Sequence, residues 1–226
     1  MPDKIYTIPI NEAFERADGC PVCAIYDDME SKELSRILGA AMMEPDVRIE
    51  TNRKGFCVRH YGLMYKEKNR LSLALMLETH LDELRKKAFR GFSRSFAKDV
   101  GPLSDILASC YLCERVEGFM DKMYQNLCWL YEHDRGFSLK LKAQPYFCLP
   151  HYEALLRAAF RHLSRSAAAD FANTVETIEK DYLETLSGDV KWFCKKFDYR
   201  FKDEDWKNSK DAVERAIYIL SGKKDL

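Results

Sequence analysis

Residues 19–23 read Gly-Cys-Pro-Val-Cys, and residues 55–61 read Gly-Phe-Cys-Val-Arg-His-Tyr. The same order returns later in the chain, where residues 109–113 read Ser-Cys-Tyr-Leu-Cys and residues 146–152 read Tyr-Phe-Cys-Leu-Pro-His-Tyr. Each copy is a C-x2-C pair followed by F-C-x2-H-Y. A shared order of two half-motifs indicates an internal duplication, which determines how the rest of the chain should be interpreted.

The separation of the half-motifs is also repeated. Cys57 follows Cys23 by 34 residues, and Cys148 follows Cys113 by 35. Because residues three apart lie on one face of a helix, each half-motif predicts two side chains that point together from a first helical turn. We predict that each copy forms one four-ligand metal site by bringing its own two helix starts together. The predicted ligands are Cys20, Cys23, Cys57 and His60 in the first site, and Cys110, Cys113, Cys148 and His151 in the second.

The chemistry of these ligands favours zinc. Three thiolates and one imidazole suit a tetrahedral zinc ion, and four protein ligands leave no open position for substrate, as is typical of structural sites. Helix N-termini stabilise thiolates, which zinc requires. We therefore predict two zinc ions per chain, with Lys54 and Arg59 offsetting the negative charge of the first site. Iron, an iron–sulfur cluster and metal-free redox thiols, the last suggested by Cys-Pro-Val-Cys at 20–23, are the alternatives.

The remaining sequence predicts an all-α fold with two pseudo-repeated helix pairs, each held by one metal site, and a C-terminal helical region. The expected domain organisation is a single domain, 1–226, with a first metal-binding repeat at 18–91, a second at 104–186 and a C-terminal segment at 187–226. The expected helices cover residues 21–43, 58–90, 113–132, 151–186 and 211–220. Residues 46–55 are expected to form a connector with a short extended piece at 47–51.

Composition limits the classes of function. The 226 residues include 36 basic and 36 acidic side chains, so the chain lacks the positive charge of a general nucleic-acid binder. No stretch approaches the length of a membrane span, and the N-terminus does not resemble a signal peptide. We predict a cytoplasmic protein with no membrane partner. In a reducing compartment close-spaced cysteines are typical of metal sites, whereas Cys128 and Cys194 are predicted to be buried core thiols.

Four stretches, residues 8–14, 43–52, 55–60 and 192–212, resemble an uncharacterised bacterial family, domain of unknown function 6062. The resemblance extends over nearly the whole chain. It implies a bacterial source and supplies no activity, cofactor or partner.

The sequence contains no enzyme signature, and whether the chain is an enzyme stays open. Our leading hypothesis is a zinc-binding helical protein that serves as a non-catalytic scaffold or partner-binding module, with proteins as its partners. One alternative is a thiol-based or iron-based redox protein. The other is nucleic-acid binding through the basic stretch from Lys86 to Arg94, which contains Phe89 and Phe92.

Overall fold

In this computed structural model, every half-motif lies at the start of a helix. The structure describes residues 4–88 and 96–222, and within those ranges it contains eleven α-helices, two short 3-10 helices and no strand. The α-helices are α1 (Lys4–Arg16), α2 (Pro21–Leu38), α3 (Pro45–Lys54), α4 (Val58–Lys66), α5 (Arg70–Ala88), α6 (Phe96–Ala108), α7 (Tyr111–His133), α8 (Arg135–Lys142), α9 (Leu149–His162), α10 (Arg165–Lys195) and α11 (Ala212–Ser221). The 3-10 helices are Ala40–Met43 and Tyr199–Phe201. The all-α prediction is confirmed.

The chain forms two compact units. We call Asp27–Met120 the inserted unit, because the other unit combines the segments on either side of it, Met1–Tyr26 and Asp121–Leu226. We call that second one the outer unit. Helices α2 and α7 each contribute residues to both units.

Each unit has its own apolar core. In the inserted unit, α3 packs on α5, and the fully buried side chains include Ile37, Met64 and Leu112. In the outer unit, α9 packs on α10, and aromatic rings fill the interior. The rings of Phe14 and Phe137 lie 5.0 Å apart there, in a tilted arrangement typical of buried aromatic pairs.

The prediction of a connector with an extended piece at residues 46–55 is wrong, because α3 occupies this stretch. Glu44 has an extended backbone and Pro45 takes the first helical turn, where its missing N–H is harmless. Val47 and Thr51, one turn apart, are both buried on the same face. Packing of that face therefore overrides the strand preference of these β-branched residues.

Two long predicted helices are each divided in two. The helix expected at 58–90 breaks between Lys66 and Arg70, where the side chain of Asn69 accepts a hydrogen bond from the Ser72 amide at 3.2 Å. The helix expected at 151–186 breaks at Leu163, because Ser164 caps α10 by accepting from the Ala167 amide. Helix α10 then continues to Lys195, beyond residue 186, where the predicted helix ends.

Candidate metal centres

The structure brings the eight predicted ligands together as two groups, but it exchanges the partners. Cys20 and Cys23 lie with Cys148 and His151, in a group that we call the outer cluster. Cys57 and His60 lie with Cys110 and Cys113, in a group that we call the inserted cluster. The prediction that each copy of the motif forms its own site is therefore wrong. The C-x2-C pair of each copy meets the C-x2-H pair of the other.

The exchange is compatible with the local prediction, which is confirmed at all four half-motifs. Cys57 and Cys148 have extended backbones immediately before α4 and α9, and their carbonyls accept the first helical hydrogen bonds. Cys20 and Cys110 precede α2 and α7 in the same way, with their carbonyls accepting from Ala24 and Glu114. Because each half-motif lies at the first turn of a helix, local structure alone does not determine which C-x2-C pair meets which C-x2-H pair.

In the outer cluster the ligand atoms surround one point. The Nδ1 atom of His151 lies 3.1 Å from the sulfur of Cys148, 3.2 Å from that of Cys23 and 3.7 Å from that of Cys20. The sulfurs of Cys23 and Cys148 are 3.5 Å apart. All three cysteines are buried.

The inserted cluster has similar distances and greater exposure. The Nδ1 atom of His60 lies 3.2 Å from the sulfurs of Cys57 and Cys110 and 3.4 Å from that of Cys113. The sulfurs of Cys57 and Cys113 are 3.9 Å apart, and both residues are partly exposed. A backbone hydrogen bond of 3.0 Å, from the Tyr111 amide to the Gly55 carbonyl, joins the two approaching segments.

Both groups fit a tetrahedral metal ion. In each, the four ligand atoms all lie within 4.8 Å of one another. Zinc–sulfur bonds of about 2.3 Å in a tetrahedron separate the sulfurs by about 3.8 Å, which is close to the sulfur–sulfur distances here. The three-sulfur, one-nitrogen donor set also suits zinc, and each group could hold one metal ion.

Only in the inserted cluster, among the described residues, does a carboxylate contact the far side of the histidine ring. The Nε2 atom of His60, which is fully buried, lies 3.0 Å from an oxygen of Glu30. Glu30 is itself 5% exposed, and its carboxylate accepts hydrogen bonds from both terminal nitrogens of Arg59. We call these three connected side chains the Arg59–Glu30–His60 relay. A carboxylate in this position fixes the orientation of a ligating imidazole and raises its basicity.

The basic residues predicted to offset the charge of the first site act differently from expectation. Arg59 forms an ion pair with Glu30, so its positive charge is balanced by the carboxylate that contacts His60. Lys54 forms ion pairs with Glu50 and Glu114, at 2.9 and 2.6 Å.

The outer cluster is enclosed by the end of α11. Gly222 ends this helix in the left-handed conformation, with φ of 69°, and its carbonyl oxygen lies 3.6 Å from the sulfur of Cys23. A Cβ atom at position 222 would lie 3.0 Å from the sulfur of Cys148. The ring of Tyr26 lies 6.4 Å from the ring of His151, measured between centroids, in a tilted arrangement. Backbone and aromatic groups therefore cover this cluster.

The electrostatics of each cluster favour a thiolate beside its histidine. Burial opposes the charged form of His60, but Cys110 and Glu30 outweigh it and raise the pKa of His60 to about 10. Burial likewise opposes the thiolate of Cys110, but His60 and the Cys113 amide lower the pKa of Cys110 to about 6. In the outer cluster, burial is outweighed by Cys20 and Cys23, which raise the pKa of His151 to about 9. Thiolates are the form of cysteine that binds metal, whereas each histidine would have to release its proton on binding the ion.

The comparison with protein families agrees with the resemblance seen in the sequence. A model described as a family of unknown function (DUF6062) matches residues 1–226. The chain belongs to this family. Comparisons with curated proteins and with solved structures found no match.

Other predicted features have mixed outcomes. Cys128 is buried, as predicted, and burial raises the pKa of its thiol to about 12. Cys194 is exposed, so the prediction of a core thiol there is wrong. The basic stretch from Lys86 to Arg94 lies largely outside the described residues, which end at 88 and resume at 96. None of the described helices combines the length and the apolar character needed to cross a membrane.

Sequence reasoning missed Glu30 and Gly222 as neighbours of the clusters. Glu30 lies 30 residues from His60, and Gly222 lies 199 residues from Cys23. Neither belongs to a repeated motif, and no local pattern connects either residue to its cluster. The one signal available for Gly222 was that a glycine commonly ends a helix in the left-handed conformation.

Proposed function

We propose that this protein is a zinc-binding helical scaffold, with one zinc ion in the outer cluster and one in the inserted cluster. The observation that supports this most strongly is the convergence of eight cysteine and histidine side chains, from four helix starts, into two four-ligand groups. The proposed ligands are Cys20, Cys23, Cys57, His60, Cys110, Cys113, Cys148 and His151.

The proposed role of the metal is structural. Each group offers four protein ligands, and a zinc ion with four protein ligands has no open position for water or substrate. The ligands also come from distant parts of the chain: Cys23 and Cys148 are 125 residues apart, and His60 and Cys110 are 50 apart. Closing such long loops is entropically unfavourable, so an ion that joins their ends stabilises the folded chain.

The duplication is part of the same proposal, with repeats at 18–91 and 104–186 followed by a segment at 187–226. Each C-x2-C motif begins a long helix, α2 or α7, and each F-C-x2-H motif begins another, α4 or α9. In the interval between these two helices, the first copy has the ten-residue helix α3 and the second copy has the eight-residue helix α8. We further propose a cytoplasmic protein of bacterial origin, since a reducing compartment keeps the thiols available to metal.

The proposal is tested by measuring the metal content of protein purified without added metal or affinity tag, together with its visible spectrum. We expect about two zinc ions per chain and no colour. Iron with visible absorption would favour the redox alternative instead. Metal-free protein with freely reactive thiols would contradict the proposal.

A further inference from the structure

An apolar groove lies on the outer unit where α9 ends and α10 begins. Its volume is about 780 Å³, which is within the range of ligand-binding clefts. The residues that line it are Leu156, Phe160, Leu163, Arg165, Ala168, Ala169 and Ala172. Six of these seven are apolar, and none of them belongs to the metal clusters.

One large apolar side chain of the groove is unusually exposed. Phe160, in the last turn of α9, is 89% exposed, although the preceding Ala158 and Ala159 are buried. On the α10 side three alanines follow Arg165 in the lining, and their small side chains leave space between the helices. Exposed apolar surface with an aromatic side chain is typical of a protein-binding site.

Two arginines lie in or beside the groove. Residues 154–169 contain Arg157, Arg161 and Arg165, and Glu153 and Asp170 flank this stretch on either side. Arg165 lines the groove itself. Among the described residues neither Arg161 nor Arg165 has an ion-pair partner, whereas Arg157 pairs with Glu153.

We infer that this groove binds an acidic amphipathic helix of a partner protein. Such a helix would place apolar side chains, spaced at i, i+3, i+4 and i+7, against Phe160 and the alanines of α10. Its acidic side chains would then face Arg161 and Arg165. The same two arginines would repel a helix with basic side chains in those positions. The inference rests on the proposed role as a partner-binding scaffold and adds the location and the chemistry of the partner.

A synthetic peptide tests the inference on the 226-residue, metal-loaded chain. The probe is a fluorescent helical peptide with leucine on one face and glutamate on the other, and the comparison peptide carries lysine in place of glutamate. We expect the glutamate peptide to bind at least about tenfold more tightly by fluorescence anisotropy. Arg165→Glu and Ala169→Leu, which reverse the charge and fill the groove, should each weaken binding about tenfold.

Lys180→Glu is the matched control, because it makes the same charge change on α10 outside the groove. Equal binding of the two peptides, or equal effects of Arg165→Glu and Lys180→Glu, would overturn the inference. Binding to vesicles of anionic phospholipid without binding to the peptide would also overturn it, in favour of a lipid surface. Zinc content is measured on every variant, so that a failure of the metal proposal is recognised separately from a failure of the groove.

Discussion

The outer and inserted clusters present the same four ligands in two different surroundings. In the outer cluster three cysteines are buried, and the end of α11 lies against them through Gly222. In the inserted cluster Cys57 and Cys113 are partly exposed, while a buried carboxylate holds His60 from behind. Packing shields the cysteines of the outer cluster from solvent. In the inserted cluster, the Arg59–Glu30–His60 relay fixes the histidine instead. On our proposal that each cluster binds a metal ion, the two surroundings should therefore stabilise the bound ion by different means.

The largest expected difference comes from removing one ligand. Cys148→Ser should lower the free energy of unfolding by more than about 4 kcal/mol, because it removes a metal ion from a site whose three cysteines are buried. Cys113→Ser should have a smaller effect, since water reaches the partly exposed inserted cluster and solvates the remaining ligands. Denaturant unfolding with metal analysis measures both. Equal destabilisation by the two variants would remove the distinction between the clusters.

The relay should affect metal affinity at the inserted cluster alone. Glu30→Gln removes the negative charge behind His60 and should weaken metal binding there by about 10-fold to 100-fold. Competition with a chromogenic chelator measures the affinity of each site. Glu33→Gln is the matched control, because Glu33 is also buried on α2 but pairs with Arg36. A similar loss of affinity in both variants would mean that Glu30 acts only through general stability.

Thiol reactivity should also distinguish the clusters. With metal bound, and during gradual removal by chelator, Cys57 and Cys113 should be alkylated about tenfold faster than Cys20, Cys23 and Cys148, because reagent reaches exposed thiols first. Mass spectrometry of peptides from a time course identifies each modified residue. The exposed Cys194 provides the reference rate of an unprotected thiol. Faster modification of the outer cluster would contradict our account of its protection.

The smallest expected effect concerns two glycines. Gly222→Ala places a side chain in the left-handed conformation and close to Cys148, so it should destabilise the chain by about 1–2 kcal/mol. Gly62→Ala lies within α4 where a Cβ meets nothing within 4 Å, so it should stabilise the chain by about 0.5–1 kcal/mol. Thermal unfolding of both variants, with metal bound, checks the two signs. A neutral Gly222→Ala would mean that the end of α11 does not enclose the outer cluster.

The sequence predicted local features better than the pairing of distant ones. The four helix starts follow from C-x2-C and C-x2-H spacing and from Pro21, all of which act within one turn. The pairing of half-motifs depends on contacts between residues 125 and 50 positions apart, and the two copies carry interchangeable ligands, so spacing alone cannot select the partners. Helix α3 was missed for a related reason, since the burial of Val47 and Thr51 outweighs their strand preference only in the packed chain.

The most direct test of the account counts metal ions by native mass spectrometry in two double variants. Cys23→Ser with Cys148→Ser disrupts only the outer cluster, so this chain should retain one zinc ion. Cys23→Ser with Cys57→Ser disrupts both clusters and should retain none. If each repeat instead bound its own ion, the first double variant would retain none and the second would retain one, which would contradict the exchange of partners.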